Sequence, residues 1–541
     1  MGTGDSMNRR QFLQLSSASA LLAGCDTGSW LAAIPPWLPV SVLKPAMREG
    51  HYLRQLKQLP PSLGTRKVDT VIIGSGIAGL TAAWRLQQQG YDNFVLLMGG
   101  EPFGNASGGT WNGVNYPRGA HYLPLPTPES VHIRELLFDL GVIEAEPFSL
   151  QPRYDERATL HAPNERLWVE GVWQDSIIPH STSPQGQAQF LQFAQFTQWL
   201  RQQRGNDGKP LFAIPLVASS QDPQWRNLDK ISFAQWLNQQ GFTDNSLRWY
   251  LDYCCRDDFG LNSPLISAWA GLHYFASRTG QGRNIAPQSE AVLTWPQGLQ
   301  YLAQKMLPKT AQQQQGFALH INEHQQGVDV LYSTDIGRNA YTLQAKRVIC
   351  AMPLHVTARL FPQIKDYGFE PQHIPQHAPW LVSNVYLDRF PQEAHSSTLA
   401  WDNVVYGSQS LGYVVATHQQ IRAAKPAYTV FTSYHALAEH LPTDGRKWLQ
   451  NASTSELLAL GLADLQKVYG TELWHCAWGA ELTLRGHAMP SPTVGFLNNK
   501  GLQALQDADG KVLFAHSDLS SYSIFEEAAW WGWQAAQRIL T

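Results

Sequence analysis

The rhythm of apolar and polar residues is clearest between residues 67 and 98. "KVDTVIIG" is a short apolar run ending in glycine, "IAGLTAAWRLQQQG" carries apolar residues at helical spacing and stops at Gly90, and "DNFVLLM" is a second apolar run. Strand, helix and strand in that order predict a βαβ unit. Two further strand signals follow, "GVDVLY" with "AKRVICAMP" over 327–353 and "WLVSNVYLDRF" over 380–390. Helical stretches such as "SFAQWLNQQGF" and "LQYLAQKML" alternate with loops in the central region, and the polar "QQQQG" at 312–316 predicts a surface turn. The chain closes on "KVLFAHSDLSSYSIFEEAAWWGWQAAQRIL", a strand, a turn and a long amphipathic helix. The pattern is that of an α/β protein.

Before Lys67 the pattern changes. Residues 26–66 carry "IPPWLPVSVLKP" and "LPPSLG", proline-rich runs that favour extended backbone and predict a tether, with folding starting near Lys67. Residues 7–25, "MNRRQFLQLSSASALLAGC", have a basic start and a weakly apolar run from Leu15 to Ala23. That run falls well short of the roughly 20 residues a spanning helix needs, so it reads as a targeting segment. Arg9-Arg10 followed by Phe12-Leu13 resembles the twin-arginine export signal, and Leu22-Ala23-Gly24-Cys25 resembles the lipobox of bacterial lipoproteins. These resemblances imply a start at Met7, recognition by the twin-arginine export machinery, acylation of Cys25, and a periplasmic body held to the membrane by a lipid anchor alone. Asp26 resembles the signal for retention at the inner membrane.

With 541 residues the chain exceeds what one core supports, and at least two domains are expected. Removing residues 1–24 moves the formal net charge from -3 to -4, a field too weak to favour nucleic acid or an anionic membrane surface. Beyond Cys25 the cysteines are Cys254, Cys255, Cys350 and Cys476, too few in this length for a disulfide scaffold and best read as buried apolar side chains. No Cys/His spacing suggests zinc, and no metal is expected.

The chemistry begins at Gly74-Ser75-Gly76-Ile77-Ala78-Gly79, between the first strand and the helix. The first glycine permits the turn, the second admits a pyrophosphate, the third lets helix and strand pack, and the helix N-terminus faces the phosphates. The acid that binds ribose in such units falls near Met98, which accepts hydrogen bonds poorly; Glu101 is the nearest carboxylate.

Four landmarks together resemble the flavin-containing amine oxidase and phytoene desaturase superfamily. "FGNASGG" (103–109) is similar to its glycine loop after the second strand, "PRGAHYLP" (117–124) to the segment beside the flavin, "AKRVICAMP" to the strand returning to the nucleotide domain, and the C-terminal strand, acid and helix to the element closing on the pyrophosphate and flavin ring. The resemblance implies FAD and a Rossmann-like FAD-binding domain (67–125, 295–375 and 490–541) interleaved with an α+β substrate domain (126–294 and 376–489). It adds Gly104, Asn105, Ala106, Gly119, Ala120, His121, Asp518, Ile524, Phe525 and Glu526 to the cofactor-binding residues, with His121 a candidate for covalent flavin attachment. The chain departs from the superfamily's usual pattern at His516, Glu527 and Met98.

A lysine held through water to the flavin is common in these amine oxidases, and Asn384 appears at the matching strand position. Asn384 and Tyr522 are the candidates for catalysis, and Trp380, Trp401 and Trp478 for aromatic walls. His516 reads either as a hydrogen-bonded loop residue or as a catalytic one. The resemblance implies hydride transfer from an amine or related small substrate to FAD, with oxygen or a membrane electron carrier as the final acceptor. Two other readings stand beside it: a desaturase or isomerase of an apolar substrate, toward which "GHAMPSP" (486–492) leans, and a flavin-binding lipoprotein without turnover.

Overall fold

The computed structural model describes residues 34–181, 183–278, 291–393 and 397–541. The export and acylation residues Arg9, Arg10 and Cys25 lie outside them. Two sheets organise the chain. The first is built around strand Thr65–Ile73, whose Val71, Ile72 and Ile73 are buried, as a strand covered on both faces requires. Parallel neighbours Phe94–Leu97 and Asn339–Cys350 flank it, and Val512–Phe514 pairs in parallel with the end of the latter. Strands Gly327–Asp335 and Phe317–His324 extend the sheet antiparallel.

Helix Ile77–Gln88 follows the first strand and buries Leu80, Ala82, Ala83 and Leu86 against the sheet. The final helix, Phe525–Leu540, returns across it. A Cβ on Gly532 would stand 2.1 Å from the Ala78 carbonyl oxygen, so glycine is what lets the two helices approach. The chain's last element is thereby locked to the helix that starts at the glycine loop.

The second sheet has eight strands in the order Val40–Leu43, Ala477–Pro490, His377–Leu387, Thr429–Ala436, Tyr413–Val415, Asp402–Val405, Glu165–Val169 and Val172–Asp175. Both faces are buried. Trp380, Val382, Val414 and Tyr434 pack toward the helices of the 184–276 region, while Leu381, Val385, Phe431 and Leu482 pack with the helical 442–476 region.

Two expectations are corrected here. The 26–66 stretch is not a free tether: Val40–Leu43 adds a parallel edge strand, Val40 opposite Ala480 through Leu43 opposite Thr483, and helix Met47–Gln55 follows it. Gln313 and Gln314 pair with Leu96 and Leu97 instead of forming a surface turn, and Gln312 is buried with its Nε2 donating to the Asp92 carbonyl at 2.8 Å. Among the described residues no helix is long and apolar enough to cross a membrane.

Candidate active site and cofactor cleft

The glycine loop lies where the first strand ends. Gly74 has φ 106°, and a Cβ there would meet the Ala351 carbonyl oxygen at 2.7 Å. Gly76 precedes helix Ile77–Gln88 without a side-chain cap, leaving the first-turn N–H groups for an anion. A Cβ on Gly76 would meet nothing within 4 Å, so the space over the helix start is open; on Gly79 it would lie 1.9 Å from the Gly74 carbonyl oxygen. Ser75 Oγ donates to the Met98 carbonyl at 2.6 Å and fixes the loop to the second strand. Ile77 is half-buried and Ala78 buried in the first helical turn.

The next loop folds over this one. Phe103 N–H donates to the Ser75 carbonyl at 3.1 Å, and Gly104 lies above Gly76. Gly104, Asn105 and Ala106 form a single helical turn. Asn105 Nδ2 donates to the Ala488 carbonyl at 2.6 Å, and its own carbonyl accepts from Ala120 N–H at 2.8 Å. Ala106 is buried in the core beneath the turn.

Glu101 is engaged by protein groups. Arg485 binds it at 2.8 and 3.2 Å, and Ser107 Oγ donates to it at 3.0 Å. Arg485 also donates to the Arg118 carbonyl and Asn105 Oδ1. This guanidinium holds the 101–107 loop against strand Ala477–Pro490.

Asn105, Gly119, Ala120, His121, Ile524, Phe525 and Glu526 line one cavity of about 1790 Å³. That exceeds the roughly 300–1,000 Å³ of ordinary ligand pockets and has room for a ring system and a substrate together. Ile524 precedes the final helix without a side-chain cap, so a second set of unpaired backbone N–H groups faces the cavity. The open helix start at Gly76, outside the cavity lining but next to the Gly104–Ala106 turn whose Asn105 lines it, a second helix start at Phe525 and the roomy cavity fit a flavin dinucleotide.

The far wall combines rings and carboxylates. The His121 ring stacks on Tyr434 at 4.5 Å between centroids, with Tyr122 at 5.0 Å and Trp401 at 5.4 Å. Burial pushes the His121 imidazolium pKa down to about 3, so the ring is neutral. Tyr122 Oη donates to Asp257 Oδ2 at 3.1 Å. Burial and then the Asp258 charge push the Asp257 carboxyl up to about 7. Asp402 is likewise raised well above the usual carboxylate range by burial and by Glu165 and Asp257. Arg278 sits 3.6 Å from Asp258 and 3.7 Å from Glu526. The sequence signal for these acids was "DYCCRDDF", carboxylates inside a helix, Asn245–Phe259, whose neighbouring cysteines are buried.

Other candidates stand apart from the cavity lining. Trp380 and Val382 line the cavity, but Asn384 does not: it is buried deeper in the sheet, where its Oδ1 accepts from Thr432 at 2.7 Å. Tyr522 is buried among Phe259, His273 and Phe496, behind Ser523 and Ile524. Asp518 is engaged by Leu354 N–H at 2.7 Å and His377 at 2.9 Å and does not line the cavity. His516 Nδ1 accepts from Asp518 N–H at 3.1 Å, a hydrogen-bonded loop histidine. Glu527 accepts from Leu216 N–H at 2.6 Å and from Ser520 inside the core. Trp401 lines the cavity, whereas Trp478 is 53% exposed beside Trp111 on the outer surface.

Residues 72–140 match the NAD(P)-binding Rossmann-like domain. The chain is 27% identical over 206 residues to Baeyer-Villiger monooxygenase ATR8 of Stachybotrys chlorohalonatus, 38% of this chain and 29% of that protein. It thus spans under a third of the length of that curated relative. Among solved structures, a putrescine oxidase variant superposes with TM-score 0.63 over 88% of this chain and 99% of the other, at 17% identity. The architecture is that of the two-domain, amine-oxidase-like flavoenzymes. A fatty acid isomerase from P. acnes that produces CLA shares it, with TM-score 0.58 and 14% identity over 88% and 99% of the two chains. The chain shares the fold of these proteins, and its residues 72–140 carry the NAD(P)-binding Rossmann-like domain.

Proposed function

We propose that this chain is an FAD-dependent oxidoreductase that oxidises a cationic amine. The observation that carries the reading is the far wall of the cavity, where His121, Tyr122, Trp401 and Tyr434 stand beside Asp257 and Asp402. Aromatic faces and desolvated carboxylates attract an ammonium group together. The putrescine oxidase neighbour makes the same chemistry reasonable on this fold.

Gly76 and the start of helix Ile77–Gln88 would hold the cofactor's phosphates, and Asn105, Gly119, Ala120 and the backbone at Phe525 and Glu526 its ring system. FAD, when bound, supplies the hydride-accepting chemistry. The chain's own part is to position and deprotonate the substrate. Asp257, raised to about 7 by burial, is ionised when the ammonium binds beside it and then accepts the ammonium proton, so that the nitrogen lone pair supports loss of the α-hydrogen. Tyr122 holds that carboxylate in place, and the rings exclude bulk water. Anaerobic addition of primary amines to the flavin-loaded protein should bleach the visible flavin bands. Bleaching or product formation with unsaturated fatty acids and not with amines would replace this reading by the isomerase one, which the size of the cavity also accommodates.

We also propose, from residues 7–26, that the protein is exported folded by the twin-arginine machinery and anchored through acylated Cys25, with oxygen or a membrane electron carrier as terminal acceptor. A cofactor loaded in the cytosol and buried in the fold is the physical reason for a route that carries folded proteins. Changing Arg9 and Arg10 to Lys should trap flavin-bearing precursor inside the cell; unchanged export would refute this.

A further inference from the structure

Outside the cavity, four histidines and an aspartate gather where the two sheets meet. His355 stands on helix Leu354–Leu360, just after the strand Asn339–Cys350. His377 opens strand His377–Leu387 of the second sheet, and His487 lies near the end of strand Ala477–Pro490. His516 and Asp518 follow the strand Val512–Phe514. The rings of His355, His377 and His487 lie 4.4–5.9 Å apart between centroids, with His355 stacked on His487 at 4.4 Å. His377 and Asp518 are fully buried, and a polar cluster of this size in a core needs a reason.

One ligand atom from each of His355, His377 and Asp518 lies within 4.8 Å of the other two. Ligand atoms about 2.1 Å from a tetrahedral zinc are about 3.4 Å apart, so small ring rotations close the set. His355 Nδ1 is buried and has no hydrogen-bond partner. The carboxylate is held in place by Leu354 N–H at 2.7 Å, as the outer-shell contacts of metal ligands are. Arg446 donates to the His377 carbonyl at 2.9 Å and fixes that end of the strand.

We propose that His355, His377 and Asp518 form a three-residue site for a divalent metal ion of zinc type, with a fourth position open beside His487, that pins the substrate sheet to the nucleotide-binding sheet. Two imidazoles and a carboxylate are a recognised zinc donor set, and copper or nickel would compete for it. The ion would join the start of strand His377–Leu387 to the two nucleotide-sheet strand ends that carry His355 and Asp518. This assignment does not depend on the amine reading of the cavity.

The test is metal content of the full flavin-loaded chain after zinc loading and dialysis, for the wild type, His355→Ala and Asp518→Asn. The wild type should keep close to stoichiometric zinc, and added zinc should raise its Tm. Both variants should bind zinc at least about 100-fold more weakly, and His355→Ala should keep its flavin. If Asp518→Asn fails to fold, His355→Ala carries the test, because its Nδ1 has no partner to lose. A wild type that keeps no stoichiometric zinc, copper or nickel, or a His355→Ala variant that keeps it undiminished, overturns the proposal. Loss of flavin in place of metal in His355→Ala overturns it as well and gives these side chains to the cofactor.

Discussion

Two glycines three residues apart should respond oppositely to the same methyl group. Gly79→Ala places a Cβ 1.9 Å from the Gly74 carbonyl oxygen and 3.2 Å from Ala351 Cβ, contacts with backbone and core that cannot swing away. Ordinary contact is about 3.5 Å, so helix Ile77–Gln88 would have to back off its strand by roughly 1.5 Å. Overpacking of that kind costs about 1–3 kcal/mol, a Tm loss of a few degrees at this chain length. Gly76→Ala meets nothing within 4 Å, and φ -70°, ψ 178° is open to alanine. In flavin-free protein it should be neutral, or stabilising by about 0.4–1 kcal/mol through the unfolded chain. Its methyl would nevertheless stand between the helix N–H groups and a phosphate. Flavin retention should then fall about tenfold or more, about 1.4 kcal/mol of lost binding. Thermal melts of the flavin-free proteins and the ratio of flavin to protein absorbance separate the two effects. A Gly76→Ala protein that keeps its flavin in full, or that melts as low as Gly79→Ala, would refute the assignment of this loop to the phosphates.

Other consequences are equally direct. The Asp257 carboxyl is raised to about 7 in the folded protein, so the neutral form is the stable one and the substrate-free protein should lose stability as pH climbs from about 4 through 7. A bound ammonium reverses the preference and expels the proton: amine affinity should rise with pH toward 8, with proton release detectable by calorimetry in two buffers, and Asp257→Asn should flatten the profile. Arg485→Met leaves the half-buried Glu101 without its cation and removes the contacts that hold the 101–107 loop; about 1–3 kcal/mol of destabilisation is expected from chemical unfolding, more than Glu101→Gln alone produces. Deleting residues 1–46 removes strand Val40–Leu43 and bares the edge of Ala477–Pro490, so the shortened protein should melt lower and aggregate more than one cut at residue 33; equal behaviour would mean the strand adds nothing.

What could be read from the sequence was what depends on local backbone. The βαβ unit shows itself because its apolar runs switch from continuous to helical spacing and back, and the glycines because a backbone task admits no other residue. Strand Val40–Leu43 was invisible for the opposite reason: its partner lies over four hundred residues away, and proline-rich flanks read as extended chain whether or not a partner is present. The glutamines at 313–314 are polar, yet their pairing uses only backbone groups. Asn384 shares a strand face with Trp380 and Val382, but it lies further along the strand, bonded to its cross-strand partner Thr432 and outside the cavity lining. Asp257, Asp402 and Tyr434 meet from separate elements, as do His355, His377 and Asp518, and no spacing along the chain announces either group.

A flavin dinucleotide held between Gly76 and the cavity beside His121 is the central proposal. The most direct measurement is the visible spectrum of the purified protein before and after acid precipitation. Flavin bands that move to the supernatant, with FAD identified there in near-stoichiometric amount, are the predicted result. A folded but colourless protein that takes up no added FAD would contradict it.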